Sequence, residues 1–220
     1  MNYILLFLGL GLFTIIFAEP RHELEEQWKK KGLVDVSTIL PKVKVEIRYA
    51  TKNNFMKKDV YDGMNKCYLQ AIVADRLKQS YKYLTEIKPG YTLLIFDGAR
   101  PLKVQKKMWK LVKGTSKQPY VADPSKGSIH NYGAAVDLTI LNAEGKELDM
   151  GTEFDYFGEL AEPVLEKKFL KEKKLTATQV NNRRLLRNVM RKGGFKVRSN
   201  EWWHFDSFTL EEAKKRFEIL

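Results

Sequence analysis

The chain has 220 residues, 44% of them hydrophobic and 12% aromatic, which is enough for a folded core and excludes a disordered chain. Its 39 lysines and arginines outnumber 27 acidic residues, and the net charge of +12 favours weak association with an anionic cell envelope. The basic residues are spread along the chain without a nucleic-acid-binding motif, so we do not expect nucleic acid as a partner.

Residues 1–18 form an apolar segment without charged side chains. Its apolar run of ~15 residues is short for a membrane span and ends at Ala18, before a charged segment. We interpret it as a secretory signal peptide that is cleaved after Ala18, which predicts a periplasmic or secreted protein with a single domain at 19–220 and no transmembrane segment in the mature chain. An uncleaved anchor stays open, because the segment lacks Lys and Arg and Ile16 is unfavourable three residues before the cleavage point.

Strand and helix patterns follow in chain order. Residues 21–32 are charged and helix-compatible, and residues 43–49 alternate between apolar and polar, as a half-buried strand does. A polar loop at 50–62 leads to apolar residues at helical spacing between 68 and 84. The continuous apolar run at 91–97 predicts a buried strand.

The predicted elements of residues 100–220 begin and end with a helix. Pro101 restricts Arg100 to extended geometry and can begin a helix at 102–112. The later predicted elements are a polar loop at 113–127, a strand within 134–140, a turn at 142–146, a helix at 176–190 stopped by two glycines, a hairpin of 195–197 with 203–208, and a closing helix at 209–220. Because helices are mixed with strands that need not be parallel, we expect an α+β fold with a small, mostly antiparallel sheet flanked by helices.

The stretch at 128–137 reads S-I-H-N-Y-G-A-A-V-D and points to a metal site. Asp137 lies inside an apolar run, where a carboxylate is costly to bury unless a positive group neutralises it. A metal ion would do so. Gly133 provides the turn that lets His130 converge on the aspartate.

A second histidine lies far along the chain, in the sequence E-W-W-H that ends at His204. Two imidazoles and one carboxylate are a common zinc set that leaves a fourth position open. Glu201, three residues before the histidine, is a candidate general base for a water molecule. The single cysteine, Cys67, cannot form an internal disulfide, and we expect it to be a small buried residue.

Together these motifs resemble those of the vancomycin-resistance type (VanX-type) D-alanyl-D-alanine dipeptidases, zinc peptidases that share their fold with D,D- and L,D-carboxypeptidases and with hedgehog proteins. The superfamily signature S-x-H-x-x-G-x-A-x-D plus E-x-W-H is complete at 128–137 and 201–204. Three further stretches resemble the dipeptidase branch: I-R-Y-A-T-x-x-N-F at 47–55, F-D-G-A-R-P at 96–101 and M-G-T-x-F-D at 150–155. One departure is Ala99, where the family often has tyrosine.

The resemblance implies one zinc ion per chain, held by His130, Asp137 and His204. Glu201 would then take the proton of the attacking water and pass it to the leaving amine. The alternative is that both histidines are ordinary hydrogen-bonded side chains without a metal.

The resemblance also implies roles for three further residues. Arg100 would face the developing oxyanion, although a structural ion pair after the strand is the alternative. Ser128 and Asp155 would hold the free ammonium group of the substrate. For Asp155 the alternative is a helix N-cap before Tyr156.

The predicted function is therefore hydrolysis of D-Ala-D-Ala to two D-alanines. A murein L,D- or D,D-carboxypeptidase that trims peptidoglycan stem peptides is the alternative, and the export signal and positive charge favour it. A hedgehog-like binding protein that keeps only the metal site would be expected to lose Glu201 or Arg100, and both residues are present.

Overall fold

The computed structural model of the chain describes residues 20–220, and it describes side chains from Glu23 onwards. The predicted signal peptide at 1–18 therefore lies outside the described residues. Within the described part, no helix is both long enough and apolar enough to cross a membrane.

Residues 20–220 form seven short strands and seven α-helices. The strands are β1 (Leu33–Asp35), β2 (Lys44–Val45), β3 (Tyr68–Gln70), β4 (Thr92–Asp97), β5 (Ala135–Leu141), β6 (Lys196–Val197) and β7 (His204–Asp206). The α-helices are α1 (Pro20–Lys30), α2 (Val36–Ile39), α3 (Ala71–Ile87), α4 (Leu102–Val112), α5 (Glu166–Lys171), α6 (Ala177–Lys192) and α7 (Leu210–Arg216).

A five-stranded sheet in the order β2-β4-β5-β7-β6 forms the centre of the molecule. The β2–β4 pair is parallel and the other neighbours are antiparallel, while β1 and β3 form a separate antiparallel pair. All seven residues of β5 are buried, which explains its nearly continuous apolar sequence. The predicted α+β fold with a small, mostly antiparallel sheet is confirmed.

Several predicted elements keep their bounds. The helix predicted at 102–112 is α4, and the apolar run at 91–97 contains β4. Thr176 caps α6 in a capping box with Gln179, and Gly193 follows the last residue of that helix. The predicted terminal hairpin is the antiparallel pair of β6 and β7. Cys67 is buried and unpaired, as expected.

Three predicted bounds are wrong. The strand expected at 43–49 ends at Val45, because the chain leaves the sheet and makes a 3₁₀ turn at Arg48–Ala50. The helix expected from residue 68 begins at Ala71, because the three preceding residues pair with β1 as strand β3. The closing helix ends at Arg216, and the following chain is extended so that the N–H of Leu220 donates to the carbonyl of Asn131.

Candidate active site

Neighbouring strands place three side chains next to one another in the sheet. Asp97 at the end of β4 pairs in register with Asp137 on β5, which pairs with His204 at the start of β7. His130 reaches the same point from a 3₁₀ turn before β5. Gly133 ends that turn with φ of 63°, a left-handed conformation that favours glycine and directs the chain into the strand. The predicted convergence of a loop histidine and a strand aspartate is therefore present.

Two histidines and an aspartate form a compact cluster that we call the metal cluster: His130, Asp137 and His204. Nε2 of His130 lies 3.1 Å from Nδ1 of His204 and 3.3 Å from Oδ1 of Asp137. The third edge, from Nδ1 of His204 to Oδ1 of Asp137, is 3.0 Å. In a tetrahedral site with bonds of about 2.0–2.1 Å, neighbouring ligand atoms lie about 3.3 Å apart. The three atoms therefore lie close to the separations that a tetrahedral metal ion requires.

Hydrogen bonds on the outer side of each ring determine which nitrogen faces the cluster. Nδ1 of His130 is 2.7 Å from the carbonyl oxygen of Gly98, which can only accept, so this nitrogen carries the proton. Nε2 of His204 is 2.7 Å from Oδ1 of Asp206 and donates to that carboxylate in the same way. When the rings are neutral, the other two nitrogens direct their lone pairs towards Asp137. Outer hydrogen bonds of this kind are typical of metal-binding histidines.

The centre of the metal cluster requires a positive charge. Oδ1 of Asp137 is buried, and when both rings are neutral it accepts no hydrogen bond from a described residue. Burial lowers the pKa of His204, but the Asp206 and Asp137 carboxylates outweigh burial and raise the pKa to about 10. A proton on Nδ1 of His204 therefore provides the charge when no metal is bound. Because a divalent cation satisfies all three donors at once, the residues present fit a metal ion that displaces this proton.

Arg100 lies beside the metal cluster and is held by three side chains. Its Nε donates to Oδ2 of Asp97 at 2.9 Å, and its Nη2 lies 2.7 Å from the same oxygen and 3.4 Å from Oδ2 of Asp137. Its Nη1 donates to Oε1 of Gln105 at 3.0 Å. The backbone N–H of Arg100 also donates to the carbonyl of His130. The residue is thus an ion-pair partner in a fixed position, and it also lines a cavity next to the cluster.

Glu201 lines the same cavity and is 7% exposed. Burial raises the pKa of its carboxyl to about 7, although the positive charges of His204 and Arg198 oppose that shift. A carboxyl that gains and loses a proton near neutral pH is suited to general acid–base work. The assignment of Glu201 as general base stays a prediction.

Asp155 reaches the cavity from the loop that follows β5. Its Oδ1 accepts from the Tyr49 hydroxyl at 2.8 Å, and its Oδ2 accepts from the N–H of Phe55 at 3.1 Å. We call these three residues the Asp155 pocket. Burial raises the pKa of the Asp155 carboxyl to about 7, although both hydrogen bonds lower it. No helix begins at Tyr156, since the next helical turn is Glu159–Ala161, so the N-cap alternative does not apply.

All seven site residues predicted from the sequence line this one cavity, including Ser128. Its volume is about 30 Å³, which is room for about two water molecules. Tyr120 and Phe157 form one wall, with parallel rings whose centroids are 5.3 Å apart. The Tyr120 hydroxyl also donates to Glu162 at 3.1 Å, so a hydrogen bond supports the stacked pair.

The sequence reasoning missed the residues that support the site. Asp206 follows His204 by two positions on one strand, and period-two alternation places both on the same face, so this spacing was a usable signal. Gln105 gave no comparable signal, and the motif at 47–55 contains Tyr49 without indicating its contact with Asp155. Gln105 is fully buried inside an amphipathic helix, and Tyr49 lies in a segment whose alternation predicts a strand.

A family model described as D-Ala-D-Ala dipeptidase, of peptidase family M15, matches residues 29–218. That range contains every residue of the cavity. The chain belongs to this family. It is therefore a metallopeptidase, and the metal cluster is the site in its described residues where a metal ion fits.

Curated proteins named D-alanyl-D-alanine dipeptidase are similar to this M15 peptidase. The one from Escherichia coli K12 is 32% identical over 174 residues, which cover 79% of this chain and 83% of its own. The one from Enterococcus faecium is 30% identical over 192 residues, which cover 79% of this chain and 90% of its own. Among solved structures, the LD-carboxypeptidase LdcB aligns with a TM-score of 0.43 and 21% identity over 86% of this chain and 79% of its own.

Proposed function

We propose that this M15 peptidase hydrolyses the dipeptide D-Ala-D-Ala to two D-alanines and uses one zinc ion per chain. The observation that carries the proposal is one cavity that contains three metal-ligating side chains, a carboxyl of raised pKa and a second carboxyl that can meet an amine. The names of the similar curated proteins support the choice of substrate.

Zinc is the proposed metal because two imidazoles and one carboxylate are a common catalytic zinc set. His130 would bind through Nε2, His204 through Nδ1 and Asp137 through Oδ1, the three atoms that face one another. When bound, zinc supplies Lewis acidity towards the scissile carbonyl and towards water. Asp206 and Gly98 keep the two rings in the required tautomer and orientation.

Glu201 is the proposed general base. With a pKa of about 7, a large fraction of its carboxyl is ionised at neutral pH and accepts the proton of the attacking water. The same carboxyl then returns the proton to the amine of the leaving D-alanine. Such a group contributes typically 10²–10⁴-fold to the rate.

Arg100 is the proposed partner of the oxyanion. Its contacts with Asp97, Asp137 and Gln105 fix the guanidinium in place, and the side chain lines the cavity. Because the guanidinium is already fixed, it needs no reorganisation when negative charge develops on the carbonyl oxygen.

Asp155 and Ser128 are the proposed contacts of the substrate's free ammonium group. A dipeptide brings a positive charge that an ionised Asp155 can pair with, whereas the same residues at the end of a longer peptide bring a neutral amide. An ammonium contact at Asp155 favours the dipeptidase over the carboxypeptidase that trims stem peptides.

We further propose that the domain acts outside the cytoplasm, in the periplasm or after secretion, with residues 1–18 as its export signal. The short apolar run that ends at Ala18 supports this proposal. N-terminal sequencing of the protein from the envelope fraction should begin at Glu19. An intact Met1 would indicate the uncleaved anchor instead.

The deciding assay compares two substrates with the purified, zinc-loaded enzyme. D-Ala-D-Ala has a free amine before the scissile bond, and an N-acylated tripeptide that ends in D-Ala-D-Ala has none. We expect at least ~10⁴-fold higher kcat/KM for the dipeptide, because a site built around a polar contact strongly rejects substrates that lack it. Equal rates would refute the amine contact and favour the carboxypeptidase.

A further inference from the structure

Helix α4 and the loop after it carry a concentration of positive charge that the proposed reaction does not use. Residues 98–122 contain no aspartate or glutamate. Six lysines lie in this stretch: Lys103, Lys106, Lys107, Lys110, Lys113 and Lys117. These six positive charges lie within 15 residues and equal half of the chain's net charge of +12.

The lysines of α4 lie on its outer face. The buried residues of this helix include Val104, Met108 and Val112, at spacings of four, which pack against the core. Lys103 and Lys107 are also four residues apart, and they are displaced by one position from that buried row. Lys106 and Lys110 flank them on the same exposed side, so one helix face presents four ammonium groups to solvent.

Few acidic groups neutralise this surface. Lys103 lies 3.6 Å from Asp62, and both side chains are 60% exposed, so that pair is open to solvent. The other five lysines form no ion pair with the part of the chain that the structure describes. Elsewhere on the surface some lysines have a close acidic partner, such as Lys168 with Glu159.

A large apolar side chain lies among these lysines. Leu111 is 56% exposed and follows Lys107 by four positions, so it lies next to it on the outer face. A cluster of lysines is attracted to the negative surface of an anionic bilayer, and an exposed leucine beside it can bury apolar surface at the headgroup boundary. A soluble polyanion would use the charges but would gain nothing from the leucine.

We propose that this outer face, defined by Lys103, Lys106, Lys107, Lys110 and Leu111, binds the surface of an anionic lipid bilayer. The lysines attract the phosphate headgroups, and Leu111 inserts at the boundary between headgroups and acyl chains. The apolar run at residues 1–18, interpreted from the sequence as an export signal or an anchor, brings the chain to a membrane in either case.

This inference does not rest on the proposed dipeptidase activity. None of the five residues lines the catalytic cavity, so hydrolysis of a soluble dipeptide should not depend on them. Activity on the dipeptide therefore serves as a check that each variant is folded.

The first experiment measures co-sedimentation of the chain from residue 19 onwards with vesicles. Vesicles of phosphatidylcholine with about 30% of the anionic lipid phosphatidylglycerol are compared with vesicles of phosphatidylcholine alone. We expect binding to the anionic vesicles only, and we expect it to weaken steeply as salt rises towards ~0.5 M, because screening shortens the reach of the charges. Absence of binding at low salt would overturn the proposal.

The second experiment locates the surface with charge-matched variants. The test variant is Lys106→Gln, Lys107→Gln, Lys110→Gln. The control variant is Lys78→Gln, Lys167→Gln, Lys171→Gln, three exposed lysines on other elements without a close acidic partner. Both lose the same charge, but only the test variant should bind on the order of 100-fold more weakly, at roughly 1 kcal/mol per lysine near the surface. Equal losses would mean that net charge alone acts, and would overturn the assignment.

A third variant separates a bilayer from other polyanions. Leu111→Ser should weaken vesicle binding and leave binding to a soluble polyphosphate unchanged. Equal affinity of the wild type for polyphosphate and for vesicles, with no effect of Leu111→Ser on either, would replace the bilayer with a soluble anionic polymer as the occupant.

Discussion

The metal cluster and the Asp155 pocket lie in one cavity but are stabilised in different ways. The cluster is built on two strands and a 3₁₀ turn, and it is incomplete by itself, because with neutral rings three electron-pair donors meet and Oδ1 of Asp137 accepts no hydrogen bond. The Asp155 pocket is built on loops and is already complete, because its carboxylate accepts two hydrogen bonds from Tyr49 and Phe55.

The difference between the two sites suits their proposed ligands, because a metal ion must stay bound whereas a substrate must be bound and released. A site with three unsatisfied ligands binds a cation tightly, since the alternative is a proton held among buried groups. A carboxyl that is satisfied by its neighbours and has a pKa of about 7 can bind an ammonium group and release it. We therefore expect changes in the metal cluster to abolish the chemistry, and changes in the Asp155 pocket to alter substrate affinity and pH dependence.

The largest expected effect is that of His204→Ala, which removes one ligand and leaves Asp137 facing a single imidazole. We expect loss of stoichiometric zinc and activity at background level, measured by metal analysis and a D-Ala-D-Ala assay. His22→Ala is the control, because it removes the third histidine of the sequence, for which no ligand role is proposed. Full zinc content in His204→Ala would contradict the ligand assignment.

Glu201→Gln should come next, because it removes the proposed base and keeps a similar shape. We expect zinc content and fold to be retained and kcat to fall on the order of 10²–10⁴-fold. The exposed Ser199, two residues away, provides a control for local disturbance of the loop as Ser199→Ala. A Glu201→Gln enzyme within tenfold of wild-type kcat at saturating zinc would rule out the base.

Arg100→Lys tests the connection between the two regions, because this side chain contacts Asp137 and lines the cavity. A lysine keeps the positive charge but cannot reproduce contacts with Asp97 and Gln105 at the same time. We expect kcat to fall on the order of 10²–10³-fold with a smaller change in KM. A change confined to KM would indicate that Arg100 binds the ground state rather than the oxyanion.

The smallest expected effect concerns stability and pH in Asp155→Asn. An aspartate in an unfolded chain loses its proton near pH 4, about 3.9 in model peptides, whereas Asp155 in the folded chain keeps it up to about pH 7. Between these values the folded state binds the extra proton, so rising pH removes stability in that window. Asp155→Asn has no carboxyl at this position, so its stability does not fall with pH through this group.

Thermal unfolding from pH 4 to 7 measures the Asp155 effect as a difference between the two proteins. We expect the Tm of the wild type to fall relative to that of Asp155→Asn as pH rises, by several degrees in total. Glu153→Gln, an exposed carboxyl two residues away, should follow the wild type. A constant difference between wild type and Asp155→Asn at every pH would mean that the Asp155 pKa is ordinary.

The sequence predicted the metal cluster better than its surroundings, for a physical reason. A charged residue such as Asp137 in the middle of an apolar strand has no structural explanation without a partner, so it stands out. Asp97 also ends a buried strand, but an aspartate at a strand end is an ordinary turn residue and gives no signal. Its contacts with Arg100 depend on side chains brought together by the fold.

The ends of helices and strands could likewise be predicted only where local sequence determines them. Helix α4 could be predicted to the residue, because Pro101 and a regular apolar spacing act locally. Strand β3 could not, because its three residues pair with β1, which lies more than 30 residues earlier in the chain. The turn at Arg48–Ala50, which carries Tyr49 to Asp155, interrupts an alternation that by itself predicts a longer strand.

The most direct test of the account is anomalous diffraction at the zinc edge from crystals of the purified protein. We predict one peak, about 2.0–2.1 Å from Nε2 of His130 and from Nδ1 of His204, and about 2.0–2.2 Å from Oδ1 of Asp137. A cluster without a peak in crystals that contain excess zinc, with the two imidazole nitrogens still about 3.1 Å apart, would contradict it.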